Sequence, residues 1–77
     1  MRLSEIQHKD IVNVNDGRKI GNIIDIRIDD KGVIAALVVE PSKSFFKVFN
    51  SRDKEVEIYW HNIVKIGEDV ILVRVDL

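Results

Sequence analysis

Lys19-Ile20-Gly21-Asn22-Ile23-Ile24-Asp25-Ile26-Arg27-Ile28-Asp29-Asp30-Lys31-Gly32-Val33-Ile34-Ala35-Ala36-Leu37-Val38-Val39-Glu40-Pro41 is the stretch that decides the fold class. Ile24, Ile26 and Ile28 alternate with Asp25, Arg27 and Asp29, the period-two pattern of a strand with one buried and one wet face. Asp29-Asp30-Lys31-Gly32 follows, and its Asp and Gly residues suit a tight hairpin turn. Val33 to Glu40 then returns with apolar residues at every position but the last, and Ala35 and Ala36 make it slim. Both faces of this second strand are expected to be covered. Pro41 has no N–H for the ladder and stops it. Gly21, near the start of the first strand, is placed for a bulge or a sharp coil of the sheet.

Working outward, the same signals recur. Toward the N-terminus, Leu3 and Ile6 are apolar anchors three residues apart, with Ser4 placed to cap a single helical turn. Ile11-Val12-Asn13-Val14-Asn15 is a short β-branched strand that ends in Asn15-Asp16-Gly17, a hairpin signal. Toward the C-terminus, Val56, Ile58 and Trp60 face one way while Glu55, Glu57 and Tyr59 face the other. His61-Asn62-Ile63 breaks that alternation as a 3₁₀ turn. Val64-Lys65-Ile66, a turn at Gly67-Glu68-Asp69, and Val70 to Val75 complete the chain. Five to six short strands with almost no helix imply an all-β protein, a strongly coiled antiparallel sheet closed into a small barrel that removes most of its edges. The expected core is Val12, Val14, Ile24, Ile26, Ile28, Leu37, Val39, Val56, Ile58, Trp60, Ile63, Ile66, Ile71 and Val73.

The bulk composition bounds what such a barrel does. Its 77 residues make one domain, 45% hydrophobic and 32% charged, with apolar content enough for a core. A chain this short buries only roughly 60% of the surface its unfolded form exposes, so it depends on efficient packing or on self-association. The absence of cysteine excludes disulfides and thiolate metal sites. The N-terminal residues lack the apolar region of a signal peptide, and the longest apolar run, Val33 to Val39, is seven residues, far short of a membrane span. A soluble cytoplasmic protein is the expectation. The formal net charge of −1 exerts no global pull on nucleic acid. Charge is unevenly spread, however: Lys43, Lys47, Arg52 and Lys54 stand against only Asp53, a local +3, and the remaining eight basic and twelve acidic residues sum to −4.

No catalytic, cofactor or metal constellation is legible. His8 and His61 fall in different segments without a cysteine partner. Asp29-Asp30 is closed off by Gly32 before the spaced oxygen ligands of a calcium loop can follow. Asp25, flanked by isoleucines, reads as a hydrogen-bonding barrel residue with no second titratable group to pair with it as a general base. The glycines are scattered through turns and form no phosphate cradle. An enzyme is not expected.

Phe45-Phe46-Lys47-Val48-Phe49 contains all three phenylalanines. Either the rings fold back over an open end of the barrel, or part of the cluster is exposed and docks on a second copy or another protein. Both hold together if Phe45 points inward and Phe46 or Phe49 outward. The candidate protein interface is therefore Phe45, Phe46, Val48 and Phe49, with Lys43, Lys47, Arg52 and Lys54 at its rim. The same cations beside aromatic rings suit single-stranded RNA, the less favoured reading because net charge is not basic and a groove would draw cations from several strands.

Met1-Arg2-Leu3-Ser4-Glu5 with Gly17, and then the segment Ile20-Gly21-Asn22-Ile23-Ile24-Asp25 with its G-x-x-x-D spacing, resemble the opening of PRC-barrel domains. Val56-Glu57-Ile58-Tyr59-Trp60-His61-Asn62-Ile63-Val64-Lys65-Ile66-Gly67-Glu68-Asp69-Val70-Ile71-Leu72-Val73 is similar to the I-P-W-x-x-I-x-x-I-G-x-D-V-I-L-V ending of the YlmC/YmxH group within that family, with Tyr59 where a proline is common. The aromatic stretch also matches the place of an aromatic-rich loop in that group. The resemblance spans essentially the whole chain and implies a single PRC-barrel domain over residues 1–77. It further implies an adaptor that binds proteins or protein–RNA assemblies, in a family whose members include stand-alone small proteins. The aromatic cluster and the small size of the chain, in turn, lead to the expectation of a homodimer or higher homo-oligomer, or of a protein partner of unknown identity. Bacterial members of the group are associated with sporulation, and archaeal relatives form no spores.

Overall fold

The computed structural model describes residues 2–45 and 55–75. Chain order is α1 (Leu3–Gln7), β1 (Asp10–Asn13), β2 (Lys19–Ile28), β3 (Ile34–Pro41), β4 (Val56–Tyr59), a 3₁₀ turn (Trp60–Asn62), β5 (Ile63–Ile66) and β6 (Val70–Val73). All six strands join one sheet in the order β4-β3-β2-β1-β6-β5. The all-β class with only short helical turns stands, and two details of the expected barrel are corrected. First, β4 and β5 end the sheet without pairing to each other among the described residues, because the 3₁₀ turn carries the chain round the corner between them. Second, β1 pairs with β6 in parallel, whereas the other neighbouring pairs are antiparallel. A parallel pair needs a long crossover, and everything from β2 to β5 supplies it.

Turn chemistry follows the sequence closely. Gly17 and Gly32 have φ of 70° and 82°, the left-handed region that costs glycine nothing. The Asp16 carboxylate accepts the Arg18 N–H at 2.9 Å, and the Asp29 carboxylate accepts those of Lys31 and Val33 at 2.8 and 3.0 Å. Asp29 is thus a turn residue, as its sequence context implies. In α1, Ile6 is buried but Leu3 is exposed. Arg2, extended at φ −98° and ψ 151°, occupies the N-cap, so Ser4 lies inside the helix and does not cap it.

The register explains the core, and where it differs from simple alternation. Cross-strand partners share a face, which places Ile11 with Gly21 and Ile71, Val39 with Ile23 and Val56, Leu37 with Ile58, and Val73 with Ile63. Leu37, Val39, Ile58, Ile71 and Val73 are buried as expected, with Ile26, Val56, Ile63 and Ile66 packed against them. Val12 and Val14 are only half-buried, and Ile11 and Asn13 take the inner positions of β1. A one-residue shift in which face is inward exchanges the whole set. The pairings of β2 shift at three points, and two of these leave an extra residue on β2 itself. Ile11 pairs with Gly21 but Val12 with Lys19, so Ile20 is the extra residue and turns inward. Ile23 pairs with Val39 but Asp25 with Val38, so Ile24 is extra and is left 44% exposed, while Ile23 is buried. Ile28, 60% exposed at the strand end, and Trp60, which opens the 3₁₀ turn instead of continuing β4, also leave the expected core.

Two small features hold the sheet in this shape. A Cβ on Gly21 would overlap the Glu40 carbonyl oxygen and lie 2.8 Å from the Glu40 carbonyl carbon, so only glycine lets β2 coil this tightly against β3. Asn13, 2% exposed, donates from Nδ2 to the Val75 carbonyl at 3.1 Å. Its Oδ1 accepts the N–H groups of Asn15 and Val75 at 3.3 and 3.4 Å, tying the first hairpin to the C-terminal segment. Gly21→Ala is expected to lower stability by about 3 kcal/mol, since the obstruction is backbone and not a flexible side chain. Asn13→Ala is expected to cost about 1–3 kcal/mol by leaving the Asn15 and Val75 N–H groups without their acceptor, while the Val75 carbonyl keeps the Asn15 Nδ2 donor. Urea unfolding monitored by circular dichroism measures both.

Candidate protein-binding surfaces

The slip that expels Ile24 also builds a groove. Past the buried half of the sheet, the outer ends of β2 and β3 continue apolar through Ile26, Ile28 and Ile34, and α1 lies alongside them. Leu3, Ile6, Ile24, Ile26, Ile28 and Ile34 line an open groove of about 390 Å³ whose polar members are Gln7 and Asp25. Asp25 is fixed there by the bulge: its carboxylate accepts the Ile26 N–H at 2.8 Å, the hydrogen-bonding role its sequence position implies. Water against this many isoleucine side chains is unfavourable, by about 25 cal/mol for each Å² of apolar surface.

A second surface forms on the opposite face of the sheet and at its corner. Arg27, Ala36 and Tyr59 stand in one cross-strand row on β2, β3 and β4. Ala36 is small and fully covered, so Arg27 reaches across β3 to lie over the Tyr59 ring at 5.9 Å and pair with Glu57 at 3.1 Å. This is how the slim strand acquires cover on its outer face. Tyr59 also stacks on His61, centroids 5.7 Å apart and planes 5° from parallel. Next to them Trp60 and Val64 are exposed, and His61, Asn62, Ile63, Val64 and Arg74 line a cleft of about 470 Å³.

Of the residues singled out from sequence, Phe45 and Lys43 are described. Phe45 is 6% exposed and belongs to the core, so it is the ring that turns inward and not part of an exposed face. Ser42 positions it, accepting the Phe45 N–H at 3.2 Å while donating to the Lys19 carbonyl at 3.0 Å. Lys43 is exposed. Phe46, Lys47, Val48, Phe49, Arg52 and Lys54 lie outside the described residues. Neither exposed surface was legible as such. The Ile23-Ile24 doublet, which breaks strict alternation, was the available signal for the groove. Among the described residues no three acidic or histidine side chains gather as a metal site. No described helix is long and apolar enough to cross a membrane.

These features define a small coiled β-sheet domain with apolar and aromatic surface to offer. The PRC-barrel domain model matches residues 1–76, and the chain belongs to the PRC-barrel domain family. It is 48% identical over 73 residues to the probable sporulation protein YlmC of Bacillus subtilis, covering 94% of this chain and 89% of that one. It is 33% identical over 78 residues to the uncharacterized protein YmxH of the same organism, covering 97% and 89%. An uncharacterized protein of Clostridium acetobutylicum is 32% identical over 74 residues, covering 96% and 84%.

Asp10 lies apart from both surfaces. Hydrogen bonds from Lys19 and Asn22, with the Lys19 charge, hold its carboxyl below the usual aspartate value, and the Lys19 ammonium is 3.0 Å away. A folded value below the unfolded one stabilises the fold at pH above the unfolded value, and the contribution is lost as pH falls through the folded value. Because the pair is half-exposed, the effect is small. The stability difference between the wild type and Asp10→Asn is expected to be constant above about pH 5 and to shrink below about pH 4, read from urea midpoints across pH.

Proposed function

We propose that the chain is a non-catalytic adaptor or assembly module that binds protein and associates with a second copy of itself. The observation that carries this reading is the open isoleucine groove between α1 and the β2–β3 hairpin, a contiguous apolar surface on a chain that is 32% charged. A second copy suits it on charge. The groove's one charged lining residue is Asp25, whereas the aromatic stretch 43–54 carries the local +3, with Phe46, Val48 and Phe49 as apolar anchors and Lys43, Lys47, Arg52 and Lys54 as its rim. A small, cysteine-free domain gains stability from such an association. The relative named as a probable sporulation protein supports a part in sporulation where the host forms spores. An RNA-binding reading of stretch 43–54 has less support, because Phe45 is in the core and the chain's net charge of −1 exerts no pull on nucleic acid.

Light scattering is expected to give a dimer or larger mass for the wild type. Ile24→Ser with Ile28→Ser, and separately Phe46→Ser with Phe49→Ser, are expected to return it to the monomer. Both side chains are exposed in the single chain, so the isoleucine pair is expected to lower the unfolding midpoint only by what association contributes. A monomeric wild type removes self-association.

A further inference from the structure

We propose that the corner formed by the 3₁₀ turn and β5 is a second docking surface, and that it takes an acidic peptide segment with an apolar anchor from a partner protein. The inference rests on the chain being a protein-binding module, but on a different surface from the self-association groove. The cleft here is built and not incidental. Asn62 donates from Nδ2 to the Arg74 carbonyl at 2.7 Å, and the Arg74 N–H donates to the Asn62 carbonyl at 2.8 Å. Those two bonds hold the cleft's walls together through the backbone of Arg74 and leave its guanidinium exposed.

Charge selects the occupant. Among the described residues the cleft lining contains the Arg74 cation and the His61 imidazole but no carboxylate. Arg27 is matched by Glu57 and Lys19 by Asp10, whereas Arg74 makes no ion pair among the described residues. Guanidinium pairs bidentately with carboxylate, so an Asp or Glu side chain is its natural complement. Val64, half-exposed in the lining, and Trp60 beside it offer apolar contact for a neighbouring side chain of the same segment. Trp, Tyr and Arg are the residues that most often concentrate binding energy at protein interfaces. A nucleic-acid occupant fits less well. Tyr59 already stacks on His61 and takes Arg27, which commits its ring within the chain.

Trp60 is the only tryptophan, so its emission reports occupation of this corner directly. The probes are a short synthetic peptide alternating Glu and Leu, its Lys/Leu counterpart, and oligouridylate. The Glu/Leu peptide is expected to change Trp60 emission saturably, and more weakly in salt raised to about 0.5 M. Arg74→Glu is expected to lower its affinity by about tenfold or more, Arg74→Gln by less, with the circular dichroism spectrum and the mass by light scattering unchanged in both. The absence of a saturable change, an isotherm unaltered in Arg74→Glu, or tighter binding of the Lys/Leu peptide or oligouridylate overturns the proposal. The unchanged mass separates this outcome from failure of the self-association reading.

Discussion

The missing side chain at Gly21 is the constraint on which the rest of the sheet depends. There β2 runs so close to the backbone of Glu40 that a Cβ has no room. Tight coiling at this point brings Ile11, Ile23 and Val39 onto one concave face, and Leu37, Ile58, Ile71 and Val73 complete it from the neighbouring strands. A chain of 77 residues has little apolar surface to spare, so a flat sheet would leave this face open to water. Curvature substitutes for size.

Coiling has a consequence for what is left outside. A strongly curved strand sheds residues at bulges, and β2 does so at Ile20 and Ile24 in opposite directions. Ile20 goes into the core and Ile24 goes out, where it meets Ile28, Ile34 and the helix residues Leu3 and Ile6 to form the groove. The apolar surface offered for association is thus a by-product of the same geometry that closes the core. On the other face, Ala36 lets Arg27 and Tyr59 meet across β3, giving the corner its rigid aromatic row.

Polar residues serve this sheet mainly as ties. Asn13 is buried with both ends of its amide bonded to the hairpin or to Val75, and Asn62 bridges to Arg74 in the same manner on the adjoining edge. Both asparagines act on the segment that follows the parallel strand β6, Asn13 on Val75 and Asn62 on Arg74. A buried amide with every partner in place specifies one register where an apolar residue would tolerate several.

By itself the sequence determined the all-β class, the positions of the turns, a 3₁₀ break at His61 to Ile63 that the structure begins one residue earlier at Trp60, the covering of β3 on both faces and the family, because these follow from local chemistry: Asp and Gly in turns, β-branched residues in strands, and motif spacing. It also placed Gly21 at a bulge or sharp coil and read Asp25 as a hydrogen-bonding residue. Only the tertiary structure decided which isoleucines are inside. Alternation assigns Ile24 and Ile28 to the core and overlooks Ile11, Ile20 and Ile23, since a bulge inverts the faces and is set by the partner strand's register, not by the strand's own residues. The parallel pairing of β1 with β6 and the burial of Asn13 likewise depend on residues some sixty positions apart in the chain. Phe45 turned inward and the isoleucine groove opened for the same reason: exposure is a property of what neighbouring strands cover, and no local pattern encodes it.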